Sequence, residues 1–305
     1  SGTYTIGGTT PHFASVTDAI TYLDDNGLCG PTVFNIRAGV YNEPFTLSNI
    51  PGNSMTNTLL IQTDPSATTQ AEINSTGGGS LGTGFVVRFN GNTEYITINN
   101  LKLTHTGSGL YRAGVRFRNA GNRQISITNN TIENYSPPIS SSAYQSNISI
   151  RYYDYDAYPN YTRDIEYVNI SGNTLINGSI GINIDGNSGY ENTNFTVDSN
   201  NISNFYHKGI SLDYCDTINI RGNVLNSGTS YTSTQQIGLY KYYSDGPSMV
   251  SGNQIYMNGT GISYGADLYQ NAQSGTDSLH FINNFVSQTN PSSTGFTVHN
   301  VWFDN

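Results

Sequence analysis

The chain has 305 residues, only 11% of them charged and 35% hydrophobic, with 12 lysines and arginines against 21 acids and a net charge of −9. That balance excludes nucleic acid as the main partner, since phosphate binding needs a clustered cationic surface, and the 12% aromatic content excludes a disordered chain. No apolar run approaches the roughly 18–20 residues of a membrane span, and the chain opens at Ser1 with neither a methionine nor a signal peptide, which reads as a processed or trimmed start.

The first element in chain order is a helix. Over residues 13–27, Phe13, Val16, Ala19, Ile20 and Leu23 recur at helical spacing, with Ser15 as N-cap and Gly27 as stop. Residues 31–50 then supply the first strand pair. From about residue 95 to 290 the chain keeps returning to one phrase: apolar, any, small or Asn, Asn, any, apolar. It reads ISITNNTIEN at 125–134, VNISGNTLIN at 168–177 and INIRGNVLNS at 218–227. The aligned asparagines are Asn130, Asn173, Asn200, Asn223, Asn253 and Asn284, separated by 43, 27, 23, 30 and 31 residues. A repeat of this period means a stacked solenoid and not a closed globular fold.

A second phrase, such as GVRFRN at 114–119, GINIDG at 181–186, GISLDY at 209–214 and GLYKYY at 238–243, alternates apolar and polar residues with period two. That is the pattern of a strand with one buried face. Short strands that all keep the same phrase coil in parallel, with rungs about 4.8 Å apart. The aligned asparagines then form a ladder of side-chain amides, and asparagine tolerates the left-handed backbone of a tight corner. The fold class is thus all-β, a parallel β-helix with a short N-terminal capping helix. Residues 1–305 form one domain, with the cap over 1–30, coils over 31–305 and a long loop near 151–167. Cys29 and Cys215 lie in distant units and are expected to be separate, buried small hydrophobes and not a disulfide.

The run PHFASVTDAITYL followed by GPTVFNIRAGVYNEPFTL resembles the opening of pectate-lyase-like and pectinesterase-like parallel β-helix proteins, with Ala38, Gly39, Tyr41 and Glu43 carrying the match. Together with the phrase from Gly2 to Gly8, it resembles the β-helix repeat proteins that Bacteroidota export to their surface. The resemblance implies a right-handed coil and an extracellular or bacterial cell-surface location. It does not choose a function, because this fold hosts lyases, hydrolases, esterases and adhesins alike.

Aligning the second phrase on its glycines places Arg88, Arg118, Arg151, Asp185, Asp213, Tyr242, Gly265 and His299 in one outward column. A column of arginines needs acids beside it or an anionic partner, and the planar guanidinium suits the carboxylate or sulfate of a polysaccharide. Residues 151–167 carry six tyrosines, Tyr153 and Tyr155 among them, and with Tyr242 they offer stacking surfaces to a glycan or another subunit. Asp154 and Asp156 alternate like part of a calcium loop, but the other ligands and the glycine are missing. No cofactor is therefore expected, calcium being the one candidate.

Two functions compete. Asp185 and Asp213, on adjacent rungs, offer a glycosidase carboxylate pair, and Lys208, Arg221, Asp213 and Asp216 offer the parts of a lyase. The motif sets of polygalacturonases, pectinesterases and pectate lyases are absent, and His105, His207, His280 and His299 are scattered. The chain closes on GFTVHNVWFDN with no second capping helix, and an uncovered coil end invites stacking onto another copy. The leading expectation is therefore a non-catalytic surface protein, forming end-to-end filaments as a homopolymer and contacting glycans. The alternative is an enzyme that degrades an acidic polysaccharide.

Overall fold

The computed structural model describes residues 1–80, 82–119, 121–135, 144–151, 165–187, 191–229, 235–244, 246–269, 278–290 and 293–299. Its strands join three parallel sheets, one of ten strands (sheet I) and two of nine (sheets II and III). Sheet I runs from Gly2–Ile6 to Leu279–Ile282, sheet II from Val40–Tyr41 to Phe285–Gln288, and sheet III from Phe45–Leu47 to Thr294–His299. Each turn visits the sheets in that order. One turn is Arg123–Thr128, Thr131–Asn134 and Gln145–Arg151, and the next begins at Glu166–Ser171 in sheet I. The fold is the expected parallel β-helix.

Two neighbouring residues turn the chain from sheet I into sheet II, and they divide the labour. The first adopts positive φ: Asn129 (56°), Gly172 (66°), Ser199 (55°), Gly222 (60°), Gly252 (65°) and Asn283 (54°). The second is the ladder asparagine, which is not in that conformation. The left-handed role expected of the ladder residue thus belongs to the one before it. That explains why the phrase requires a small residue or Asn at that place.

The ladder itself is continuous. Asn173 donates its backbone N–H and its Nδ2 to Asn200 Oδ1 at 3.0 and 2.9 Å. Asn200 donates in the same way to Asn223 Oδ1 at 3.0 and 3.0 Å, and its Nδ2 also reaches Ile170 O at 2.9 Å. The same bonds join Asn130 to Asn173, Asn223 to Asn253 and Asn253 to Asn284. Every amide group is used, which is the condition for burying one.

Inside the coil, like residues stack on like. Sheet I stacks Ile127 on Ile170 on Val197 on Ile220, and sheet II stacks Ile132 on Leu175 on Ile202 on Leu225. Phe89 lies against Phe117 in sheet III, with ring centroids 4.7 Å apart. Burial of each such side chain contributes about 1.5–3 kcal/mol.

The capping helix is Val16–Asn26 and buries Val16, Ala19, Ile20 and Leu23. Ser15 caps it by accepting from Asp18 N at 3.0 Å, and Gly27 ends it at φ 63°. Glu43, one of the residues carrying the family resemblance, accepts from Thr17 N at 2.8 Å and Thr17 Oγ1 at 2.9 Å. A carboxylate there meets the unpaired N–H groups of the first helical turn and ties cap to coil. Neither cysteine is in a disulfide, but only Cys215 is buried. Cys29 is exposed, because it lies after the helix beside the chain start, with its Sγ 3.5 Å from the Ser1 amine.

Replacing Asn200 by Ala strands buried groups on both neighbouring turns. The variant is expected to lose about 3 kcal/mol in chemical denaturation, whereas Ala at the adjacent, exposed Asn201 costs less than about 0.5 kcal/mol.

Candidate active site

Sheet III presents a polar outer face, and its position is set by a bend in every strand. In register across the sheet lie Ala113, Ser146, Ile180, Lys208, Ile237 and Tyr264. The residue after each is a glycine except Asn147 in the second. A Cβ on Gly181 or Gly238 would stand 2.4 Å from Ile202 Cγ2 or Ile255 Cγ2 respectively, so the chain crosses sheet II too closely for any side chain. In the glycine-free turn, Asn147 Nδ2 donates to Ile132 O and Ile176 O, each at 2.9 Å.

Beyond the bend, the observed register corrects the expected column. Asn90, and not Arg88, pairs with Arg118. Arg118 meets Arg151 one step beyond the Phe117–Ile150 pair. Asp185, Asp213 and Tyr242 follow on successive strands. Tyr269, and not Gly265, comes next, one step beyond the Lys241–Leu268 pair, and itself pairs with His299. Arg88 belongs to a neighbouring column with Arg116, Ser149, Asn183, Ser211, Tyr240 and Asp267. The cause is local. Val86, and not Gly84, holds the bend position in the Arg88 strand, and Gly265, and not Gly261, holds it in the Tyr269 strand. A slip of two keeps Arg88 on the outer face but moves it along the strand.

The arginines are engaged with the protein. Arg151 Nε lies 3.3 Å from Asp185 Oδ2 in a largely buried pair. The Arg88 guanidinium sits 4.3 Å from the Phe85 ring centroid, and its Nη1 donates to Gly82 O at 3.3 Å. Burial, then the charges of Arg118 and Arg116, pull the Arg88 pKa down. Tyr153, Tyr155, Asp154 and Asp156 lie outside the described residues, as do residues 300–305. Among the described residues no three metal-ligating groups cluster, and no helix is long and apolar enough to cross a membrane.

Asp213 is the most perturbed acid of this face. It is half-buried, its Oδ1 is buried and accepts no hydrogen bond, and it sits in register with Asp185. Burial first, and then repulsion by the Asp185 carboxylate, push its pKa up to about 7. Lys208 lies near these acids, with its Nζ 3.4 Å from the Tyr240 ring centroid and 3.4 Å from Ser211 Oγ. Burial lowers its pKa to about 8 against the pull of Asp213, Asp267 and Asp185. Burial also raises the Tyr240 phenol, with Asp213 the next cause. Of the lyase set, the structure brings Lys208 and Asp213 together but leaves the other two on sheet I, where Arg221 pairs with Asp198 at 3.2 Å. Tyr240 and Asp267 escaped the sequence reading. The first lies within GLYKYY at 238–243 but in the column beside the one aligned, and the second lies behind a misplaced glycine.

Neither a protein-family model nor a curated protein matches the sequence. Solved structures share the fold. A GH136 lacto-N-biosidase from Eubacterium ramulus superposes with a TM-score of 0.55 at 12% identity, covering 98% of this chain and 68% of that one. A pectate lyase superposes with a TM-score of 0.57 at 9% identity, covering 98% and 79%. An alginate lyase from a Paenibacillus species superposes with a TM-score of 0.53 at 14% identity, covering 96% and 99%. The architecture is thus a parallel β-helix, shared with solved structures of a lacto-N-biosidase, a pectate lyase and an alginate lyase.

The raised pKa of Asp213 makes stability depend on pH. A carboxyl whose folded pKa, about 7, exceeds its ordinary 3.8 favours folding fully below 3.8 and loses that contribution as pH rises through 7. Thermal melts across this range are expected to show wild type losing stability relative to Asp213→Asn as pH rises.

Proposed function

We propose that the outer face of sheet III is the active site of a polysaccharide-cleaving enzyme in which Asp213 is the general acid and base and Asp185 the nucleophile. The observation that carries the proposal is the half-buried Asp213 carboxyl, its Oδ1 unpartnered and in register with Asp185, surroundings that raise its pKa to about 7. Pairs of titratable groups whose environments push their pKa values apart mark acid and base roles. Asp213 in its acid form donates its proton to the glycosidic oxygen as the bond to the anomeric carbon breaks. Asp185, paired with Arg151, attacks the anomeric carbon as that bond breaks and holds the sugar as a glycosyl ester. Water, giving its proton to Asp213, then displaces Asp185 and supplies the hydroxyl of the new reducing end. Parallel strands about 4.8 Å apart favour the ~5 Å carboxyl separation of a double displacement over the wider gap of a single one.

Structural neighbours that include a lacto-N-biosidase, a pectate lyase and an alginate lyase support a carbohydrate substrate. An extracellular polysaccharide is the substrate class that fits a site on the outer face of a sheet. The rival reading, a non-catalytic surface protein that stacks end to end and touches glycans, gives this carboxyl no role. Lys208, whose pKa of about 8 suits a base, favours β-elimination as a second mechanism; a product with the ultraviolet absorbance of an unsaturated uronate would identify it.

A panel of neutral and acidic polysaccharides, assayed for new reducing ends, tests the proposal. Wild type is expected to cleave at least one, with activity falling above about pH 7 as Asp213 ionises. Asp213→Asn is expected to lose at least about 100-fold, the lower range for removing a general acid. A wild type inert towards the whole panel, or an unaffected Asp213→Asn, overturns it.

A further inference from the structure

Next to the carboxylate pair, the turns that follow carry a cluster of tyrosines whose backbone is unusual. The corner out of sheet III adopts positive φ at Gly91 (78°) and Asn119 (59°), residues suited to it. On two consecutive turns the same corner instead holds Tyr214 (48°) and Tyr243 (42°). Tyr95 (50°) and Tyr167 (54°) on sheet I share that strained conformation, so what sets this corner apart is the packing of its rings. The Tyr214 and Tyr243 rings stack nearly parallel, with centroids 5.2 Å apart and planes at 14°. Tyr242 packs against Tyr243 at 3.9 Å and Tyr269 packs against Tyr242 at 5.1 Å. All four tyrosines are only half-buried.

The charges around them select the occupant. Asp213 directly precedes Tyr214 and pairs with Tyr242, while Asp267 lies two residues before Tyr269. Both lysines of this region are turned elsewhere, Lys208 onto the Tyr240 ring at 3.4 Å and Lys241 inward onto Ser244 O. An anionic sugar would meet the Asp213 carboxyl, which repels it once ionised, and no available ammonium group. A neutral pyranose meets flat aromatic faces for its C–H surface, with the Asp213 carboxyl beside them as a hydrogen-bond partner for its hydroxyls.

We propose that Tyr214, Tyr242, Tyr243 and Tyr269 form a stacking subsite for a neutral pyranose unit of the glycan. The inference rests on the glycan reading of this face and adds the charge of the sugar bound beside Asp213. It sets a neutral unit against the acidic polysaccharide that the arginines suggest from sequence.

Two substitutions separate this role from a structural one. Tyr214→Asn and Tyr243→Asn install the residue that Asn119 already provides at this corner, so each removes a ring while relieving the backbone. Affinity electrophoresis in gels of galactan and glucomannan (neutral) or polygalacturonate and alginate (acidic) reads binding. Asp213→Asn serves as the parent, to prevent cleavage during the run. The parent is expected to be retarded by a neutral gel. Each tyrosine variant is expected to bind at least about tenfold more weakly, with an unchanged or higher melting temperature. Retardation undiminished in the tyrosine variants, retardation of the parent by the acidic gels alone or by none, or a lowered melting temperature in the variants overturns the subsite. Failure of the acid–base reading shows separately, as cleavage surviving in Asp213→Asn.

Discussion

The hydrogen bonds between asparagine side chains of successive turns are the constraint on which the rest depends. Each ladder amide is fixed by its neighbours on both sides, so a turn cannot slip by one residue without leaving buried donors and acceptors unpaired. With the corner between sheets I and II pinned, the sheet I and sheet II strands stack isoleucine on isoleucine. The glycine bend then carries the chain over sheet II in one way only. The columns on the outer face of sheet III then depend on which residue of each turn takes the bend position.

The same stacking that strengthens the core makes charge on the outer face consequential. Identical apolar residues on adjacent turns bury one another. Identical charges on adjacent turns repel at strand spacing, about 4.8 Å. Asp185 and Asp213 are such a pair, and the protein divides their roles by environment. Asp185 faces the Arg151 guanidinium. Asp213, with Oδ1 unpartnered, takes up a proton in place of a counter-ion. Lys208 settles over an aromatic ring, which leaves its attraction to Asp213 too weak to reverse the effect of burial.

Much of this fold is legible in the sequence because its determinants are local and repeated. The ladder asparagines, the capped helix and the Asp185–Asp213 juxtaposition each follow from spacing. The outer-face register beyond them does not, since it depends on which residue occupies the bend. Where valine replaces glycine, as at Val86, or a second glycine lies four residues away, as Gly261 does from Gly265, an alignment on glycine slips. Arg88 was displaced for the first reason, and Tyr269 and Asp267 were hidden by the second. The engagement of the arginines was harder to foresee. A column of arginines in one dimension does not reveal that Arg88 rests on Phe85 or that Arg151 meets Asp185.

The account turns on the protonation of one carboxyl, which carbon-detected NMR of side-chain carboxyl groups measures directly. In wild type, Asp213 is expected to titrate near pH 7, and in Asp185→Asn its midpoint is expected to fall as the neighbouring charge disappears. An Asp213 that titrates near its ordinary value of 3.8, and does so equally in both proteins, would contradict the assignment of Asp213 as the general acid.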